Sequence, residues 1–134
     1  MPSYDVLMIK EFDAWNIEKK RVHALKPVPY FYEREIWWCA LGVNVGDEED
    51  GKHEKFERPV LIFRMFNKHL IWIIPLTTKH RAGAYYYSWC YDGAVYAAML
   101  SQLRLVSTKR LRRKIYMLPG ECFRVIRDKT RALI

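Results

Sequence analysis

No run in this 134-residue chain reaches the roughly 20 consecutive apolar residues of a spanning helix, so a helical membrane anchor is not expected. The opening residues carry Asp5, Lys10 and Glu11, which does not suit a secretory signal peptide. Cysteine is scarce: Cys39, Cys90 and Cys122 form an odd set without close pairing or metal-ligand spacing. That excludes a disulfide framework and predicts reduced thiols in a cytoplasmic protein, with Cys39 and Cys90 in the core beside tryptophans. There is no Gly-rich phosphate loop, no zinc spacing and no Gly-flanked nucleophilic serine. His23, His53, His69 and His80 are scattered, and the acidic run Asp47 to Asp50 lacks the spaced ligands of a calcium loop. No metal or cofactor is therefore expected. Internal repeats and low-complexity tracts are also missing.

What the chain does have is a core and a charge. Apolar residues make up 51% and aromatics 15%, which rules out a disordered chain and fits one domain over 1–134. The formal charge of +8 is concentrated late, at Arg104, Lys109, Arg110, Arg112, Arg113 and Lys114. Arg124, Arg127, Lys129 and Arg131 follow. A basic face attracts polyanions, so nucleic acid is the natural partner class. The competing reading is a basic helix end that complements its own dipole.

Helical spacing of Leu7, Met8, Phe12, Trp15 and Val22 predicts a helix from Tyr4 to Leu25, with Ser3 as N-cap. Pro27 and Pro29 end it, because proline disfavours helix in the residue before it. Strands are predicted over Glu35–Leu41, Glu57–Phe63 and Ile71–Thr78, the last two forming a hairpin across Asn67 and Lys68. Between Gly42 and Glu57 the composition predicts a long mobile loop of the functional kind. Tyr85–Trp89 and Ala94–Leu100 read as a hairpin across Asp92-Gly93. The Tyr85 to Tyr87 run also suits a base-stacking platform, though strand alternation explains it equally. Ser101–Val106 reads as a strand, Ser107–Leu111 as a short turn or single helical turn and Lys114–Met117 as a last strand. Pro119 at the first helical position opens a helix to about Ala132. The class is α+β, mainly β: a small barrel or two packed sheets with terminal helices.

The hairpin places Arg58 and Thr77 at one end, at strand termini and outside the core. A guanidinium beside a hydroxyl suits a phosphate, since the planar fork donates parallel hydrogen bonds to its oxygens. In order along the chain come Glu35-Ile36-Trp37-Trp38, Gly46 with Glu48 and Glu49, and Arg58-Pro59-Val60-Leu61. Ile74-Pro75-Leu76-Thr77-Thr78 and Leu100-Ser101-Gln102-Leu103-Arg104-Leu105-Val106 complete the series. This order resembles the PemK/MazF family of toxin endoribonucleases from type II toxin–antitoxin systems, from Glu35 to about Leu111. Residues 1–33 look like an N-terminal helical extension of a barrel over 34–134.

The resemblance implies a homodimer of SH3-like barrels that cuts single-stranded RNA without a metal and is neutralised by a cognate antitoxin. It assigns cleavage to Arg58 and Thr77, with Glu48 orienting or deprotonating the 2′-hydroxyl; a structural Arg–Glu pair is the other role for Glu48. Glu49, Thr78, Lys79, Gln102 and Arg104 would contact RNA. Two departures stand out. Glu49 replaces the Gln usual in the family, and Asp47 and Ser101 stand where some members use a catalytic His and Asp. Activity would then follow the Arg/Thr version. The alternatives are a non-catalytic barrel that binds nucleic acid or protein, and a topoisomerase-poisoning toxin of the same fold.

Overall fold

The computed structural model describes residues 9–53 and 55–134. Helix α1 spans Phe12–Ala24 and is followed by β1 (Glu35–Ala40), β2 (Glu57–Met65) and β3 (Leu70–Thr77). Then come β4 (Tyr86–Tyr91), β5 (Ala94–Met99), β6 (Arg104–Ser107), β7 (Leu111–Met117) and helix α2 (Gly120–Arg131). The strands make a curled antiparallel sheet in the order β4-β5-β3-β2-β1-β7, with β6 also paired to β3. The curl originates in β3, whose first half pairs with β6 (Ile71 to Val106) and whose end pairs with β5 (Leu76 to Ala98). Two short 3-10 turns, Leu100–Gln102 and Thr108–Arg110, flank β6. No helix among the described residues is long and apolar enough to cross a membrane.

Strand periodicity explains the continuous apolar runs. Ile36, Leu61 and Ile74 face one core with Leu76, Phe123 and Ile126. Their neighbours Trp37, Val60, Ile62 and Ile73 face a second core with Leu41 and Val106. A strand buried on both faces needs no polar alternation. Helix α2 covers the first core with Phe123, Ile126 and Thr130, spaced three and four apart. A third cluster of Trp15, Val22, Ala40 and Phe56 lies under α1.

Several sequence expectations shift. The expected cap at Ser3 and the residues up to Met8 lie outside the described residues. Helix α1 begins only at Phe12, because Lys10 is drawn away to the loop after β1: its Nζ donates to Asn44 O at 2.6 Å and Gly46 O at 2.8 Å. Leu100–Gln102 is a 3-10 turn rather than strand, since the chain must leave one end of β3 and rejoin it at the other. Pro119 is the N-cap of α2, not its first helical residue, and has extended backbone (ψ 143°). Cys39 is fully buried, and burial pushes its thiol up to about 12. Cys90, on β4 at the edge of the sheet, is exposed rather than in the core.

Candidate active site

The β2–β3 register pairs Val60 with Pro75 and Leu61 with Ile74, which brings Arg58 level with Thr77. Both lie deeper than expected for strand ends, at 7% and 9% exposure. The Arg58 guanidinium donates from Nε to Asp50 O (2.6 Å) and from Nη1 to Leu76 O (3.0 Å), and its Nη2 meets Glu49 Oε1 at 2.6 Å. Three of the roughly five N–H groups of a guanidinium are thus engaged. Burial lowers the Arg58 pKa, opposed by the negative charges of Glu49 and Asp50. Thr77 Oγ1 accepts a long bond from Lys79 N (3.4 Å), which leaves its own proton to donate elsewhere.

The loop between β1 and β2, expected to be mobile, is tied at many points. Gly51 N donates to Gly42 O at 2.7 Å and closes its neck. Asn44 N donates to Asp50 Oδ1 (2.6 Å), and Asn44 Nδ2 donates to Glu49 O (2.8 Å). Glu48 Oε1 accepts from Val45 N at 2.9 Å. Lys10 adds an ion pair to Asp50 at 2.9 Å. Gly42 has φ +76°, and a Cβ there would meet Trp15 Cε2 at 2.0 Å, so only glycine lets the indole seat on the loop.

Two clefts share this loop. Glu48, Glu49, Gln102 and Arg104 line one of about 390 Å³ with Asn44 and Ser101. Glu49 N donates to Gln102 Oε1 and Gln102 Nε2 to Asp47 O, each at 3.3 Å. Arg58, Thr77 and Thr78 line a second, of about 120 Å³, with Trp38, His53 and Glu57. Glu49, in the first cleft, is the ion-pair partner of Arg58 in the second. It is therefore Glu49, not Glu48, that makes the Arg–Glu pair. Lys79 is exposed and lines neither cleft. No group of three or more metal-ligating side chains occurs among the described residues.

Much of the basic stretch serves the fold. Lys109 Nζ donates to His23 O at 2.7 Å, and Arg110 Nη1 donates to Ala40 O at 3.2 Å. Arg113 pairs with Glu57 (3.0 Å) and Lys114 with Glu35 (2.8 Å). Sequence reasoning passed over Trp38, Lys52 and Glu57, all of which reach the Arg58 cleft. The available signal was Glu57 itself, a charged residue opening a strand that is otherwise apolar.

The same fold occurs in known proteins. Residues 32–134 match the family model described as the PemK-like, MazF-like toxin of type II toxin–antitoxin systems. The MazF structure from Deinococcus radiodurans superposes with a TM-score of 0.63 at 16% identity, covering 78% of this chain and 96% of that one. A mycobacterial endoribonuclease solved with its cognate antitoxin gives 0.58 at 13% identity, covering 77% and 93%. The Mycobacterium tuberculosis toxin MazF-mt6 gives 0.56 at 16%, covering 74% and 94%. At these identities the superpositions establish the fold. No curated protein matches the sequence. With the family model spanning residues 32–134, the chain belongs to the PemK-like, MazF-like toxins of type II toxin–antitoxin systems.

Proposed function

We propose that the protein is a metal-independent endoribonuclease that cuts single-stranded RNA, and that a cognate antitoxin silences it by occupying the same groove. The observation carrying this reading is the convergence of a buried, loop-anchored guanidinium, Arg58, and a hydroxyl, Thr77, on one cleft. The RNA 2′-hydroxyl attacks its own phosphorus; Glu48, reaching over from the adjoining cleft, either takes its proton or orients it while the proton leaves to solvent. The bond to the 5′-oxygen breaks, that oxygen takes a proton from solvent, and a 2′,3′-cyclic phosphate remains. Negative charge grows on the non-bridging oxygens, where Arg58 and Thr77 donate. The guanidinium and hydroxyl supply the charge stabilisation that a metal would supply elsewhere, so chelation should leave the rate unchanged. Thr78, Gln102 and Arg104, with Glu49 and Lys79, would position the strand on either side.

Purified protein is expected to cut single-stranded RNA in EDTA and to leave a cyclic phosphate and a free 5′-hydroxyl. Products with a 5′-phosphate and 3′-hydroxyl would overturn the mechanism. A homodimer belongs to the same proposal. Exposed Phe66 and Trp72, ring centroids 5.0 Å apart, lie beside exposed Leu70 and Leu105 on one face of the β2–β3 hairpin and β6. Such a contiguous apolar patch suits an interface between copies. Light scattering at micromolar concentration should return the dimer mass.

A further inference from the structure

We propose that a cleft walled by β1, β7 and the end of the loop before β2 is a nucleobase subsite, in which Glu57 selects a base bearing an exocyclic amine. The proposal rests on RNA being the substrate. Trp38, Lys52, His53, Lys55, Glu57 and Arg113 line this cleft, of about 550 Å³. It is continuous with the Arg58–Thr77 cleft, because Trp38, Lys52, His53 and Glu57 line both. A strand held at Arg58 would therefore have an adjoining nucleotide within reach of it.

The lining has the chemistry of a base reader. Glu57 is nine-tenths buried, and its Oε1 accepts from Arg113 Nη2 at 3.0 Å. Its Oε2 is buried and has no hydrogen-bond partner among the described residues. A carboxylate oxygen left unpaired in the interior is costly, and a turn of the Glu57 carboxylate that brings Oε2 to the cleft, where a ligand N–H meets it, recovers the loss. Trp38 supplies an aromatic surface, with the Arg113 guanidinium 5.7 Å from its ring centroid. Aromatic faces and guanidinium planes are the surfaces on which unpaired bases stack. Lys52 and Lys55 are exposed at the rim, placed to neutralise phosphates. A cationic side chain of a protein partner would also satisfy Glu57, but it would have to enter among Lys52, Lys55 and Arg113. A neutral amine on an anionic backbone meets no such opposition. Adenine, cytosine and guanine each carry that amine; uracil flanks its single N–H with two carbonyls that face the carboxylate unfavourably.

Binding, not cleavage, tests this. Fluorescence anisotropy would compare 2′-O-methyl heptamers of uracil with the central base varied; the methyl group blocks the attacking hydroxyl. Each heptamer with one amine-bearing base should bind about tenfold tighter than all-uracil. Glu57→Gln, which keeps the shape and adds a donor, should compress that ratio to about twofold. Trp38→Leu should weaken all four alike. Equal wild-type affinities, or a ratio retained in Glu57→Gln, would overturn the proposal, and the wild-type ratio stands even if a variant fails to fold. Scoring cleavage of unmodified RNA separately keeps the two readings apart. Cleavage with a flat ratio would sink the subsite alone, whereas a Glu57-dependent ratio without cleavage would support the subsite and sink the reaction.

Discussion

Arg58 joins a loop carbonyl, a strand carbonyl and a carboxylate, so its removal tests two properties at once. Arg58→Ala is expected to lower the cleavage rate by ~10²–10³. It should also lower stability, because Glu49 loses its partner and the buried carbonyl of Leu76 its donor, at about 1–3 kcal/mol for each buried group left unpaired. Thr77→Val is the cleaner probe: the volume is kept, the hydroxyl lost, and the melting temperature should stay within a few degrees while activity falls. If Thr77→Val retains full activity, the hydroxyl has no part in catalysis. The thiols offer an independent check of burial. Exposed Cys90 should react with a neutral-pH alkylating reagent in seconds to minutes, whereas Cys39, buried and held protonated, should react only on unfolding. The Arg58–Thr77 pairing was legible in the sequence because hairpin register is local. The Arg58–Glu49 pair was not, because it depends on how a polar loop folds back, and apolar periodicity carries no information about that.

Among elements, α1 and the loop after β1 form one unit. Trp15 seats on Gly42 and packs at a tilt against Phe56, ring centroids 5.5 Å apart, so Trp15→Ala should cost about 3–5 kcal/mol. Lys10→Ala should act more locally, raising hydrogen exchange at the amides of residues 44–51 while β2 and β3 stay protected. The β1–β7 pair has a titratable pin in Glu35. Burial alone would raise this carboxyl, but Lys114, the Trp37 indole N–H and the Tyr32 amide outweigh it and hold the pKa below its ordinary 4.5. A pKa depressed by folding contributes stability that is full above the unfolded value and fades as pH falls through the folded one. The melting temperature should therefore drop as pH falls below about 4.5, and Glu35→Gln should flatten part of that slope. The strands themselves were readable from their runs of Val, Ile and Trp. The 3-10 turn at Leu100–Gln102 was not: it follows from the demand that β5 and β6 share β3, a tertiary constraint without a local signature.

At the scale of the whole molecule, the +8 charge overstates the free basic surface. Lys109 and Arg110 clip α1 and β1 to the body of the protein, whereas Lys55 is exposed at a cleft rim. Lys55→Ala should accordingly reduce the salt dependence of RNA binding by about one ion, and Lys109→Ala should chiefly lower stability. A single face of free cations was the natural inference from clustering; which cations already hold carbonyls becomes visible only once the chain has closed. That closure also sets an order in time. The hairpin bearing Arg58 and Thr77 joins residues only 18 apart, from Arg58 to Leu76. The adjoining cleft, with Arg113 on its wall, requires β7 to return to β1, where Arg34 donates to the Leu118 carbonyl 84 residues away. Distant pairings are slow to form, so β7 should dock late, and Leu118→Ala should speed unfolding while scarcely changing the refolding rate. A chain emerging from the ribosome would then pair Arg58 with Thr77 long before Arg113 is in place, and its proposed reading of bases would be complete only once β7 is free.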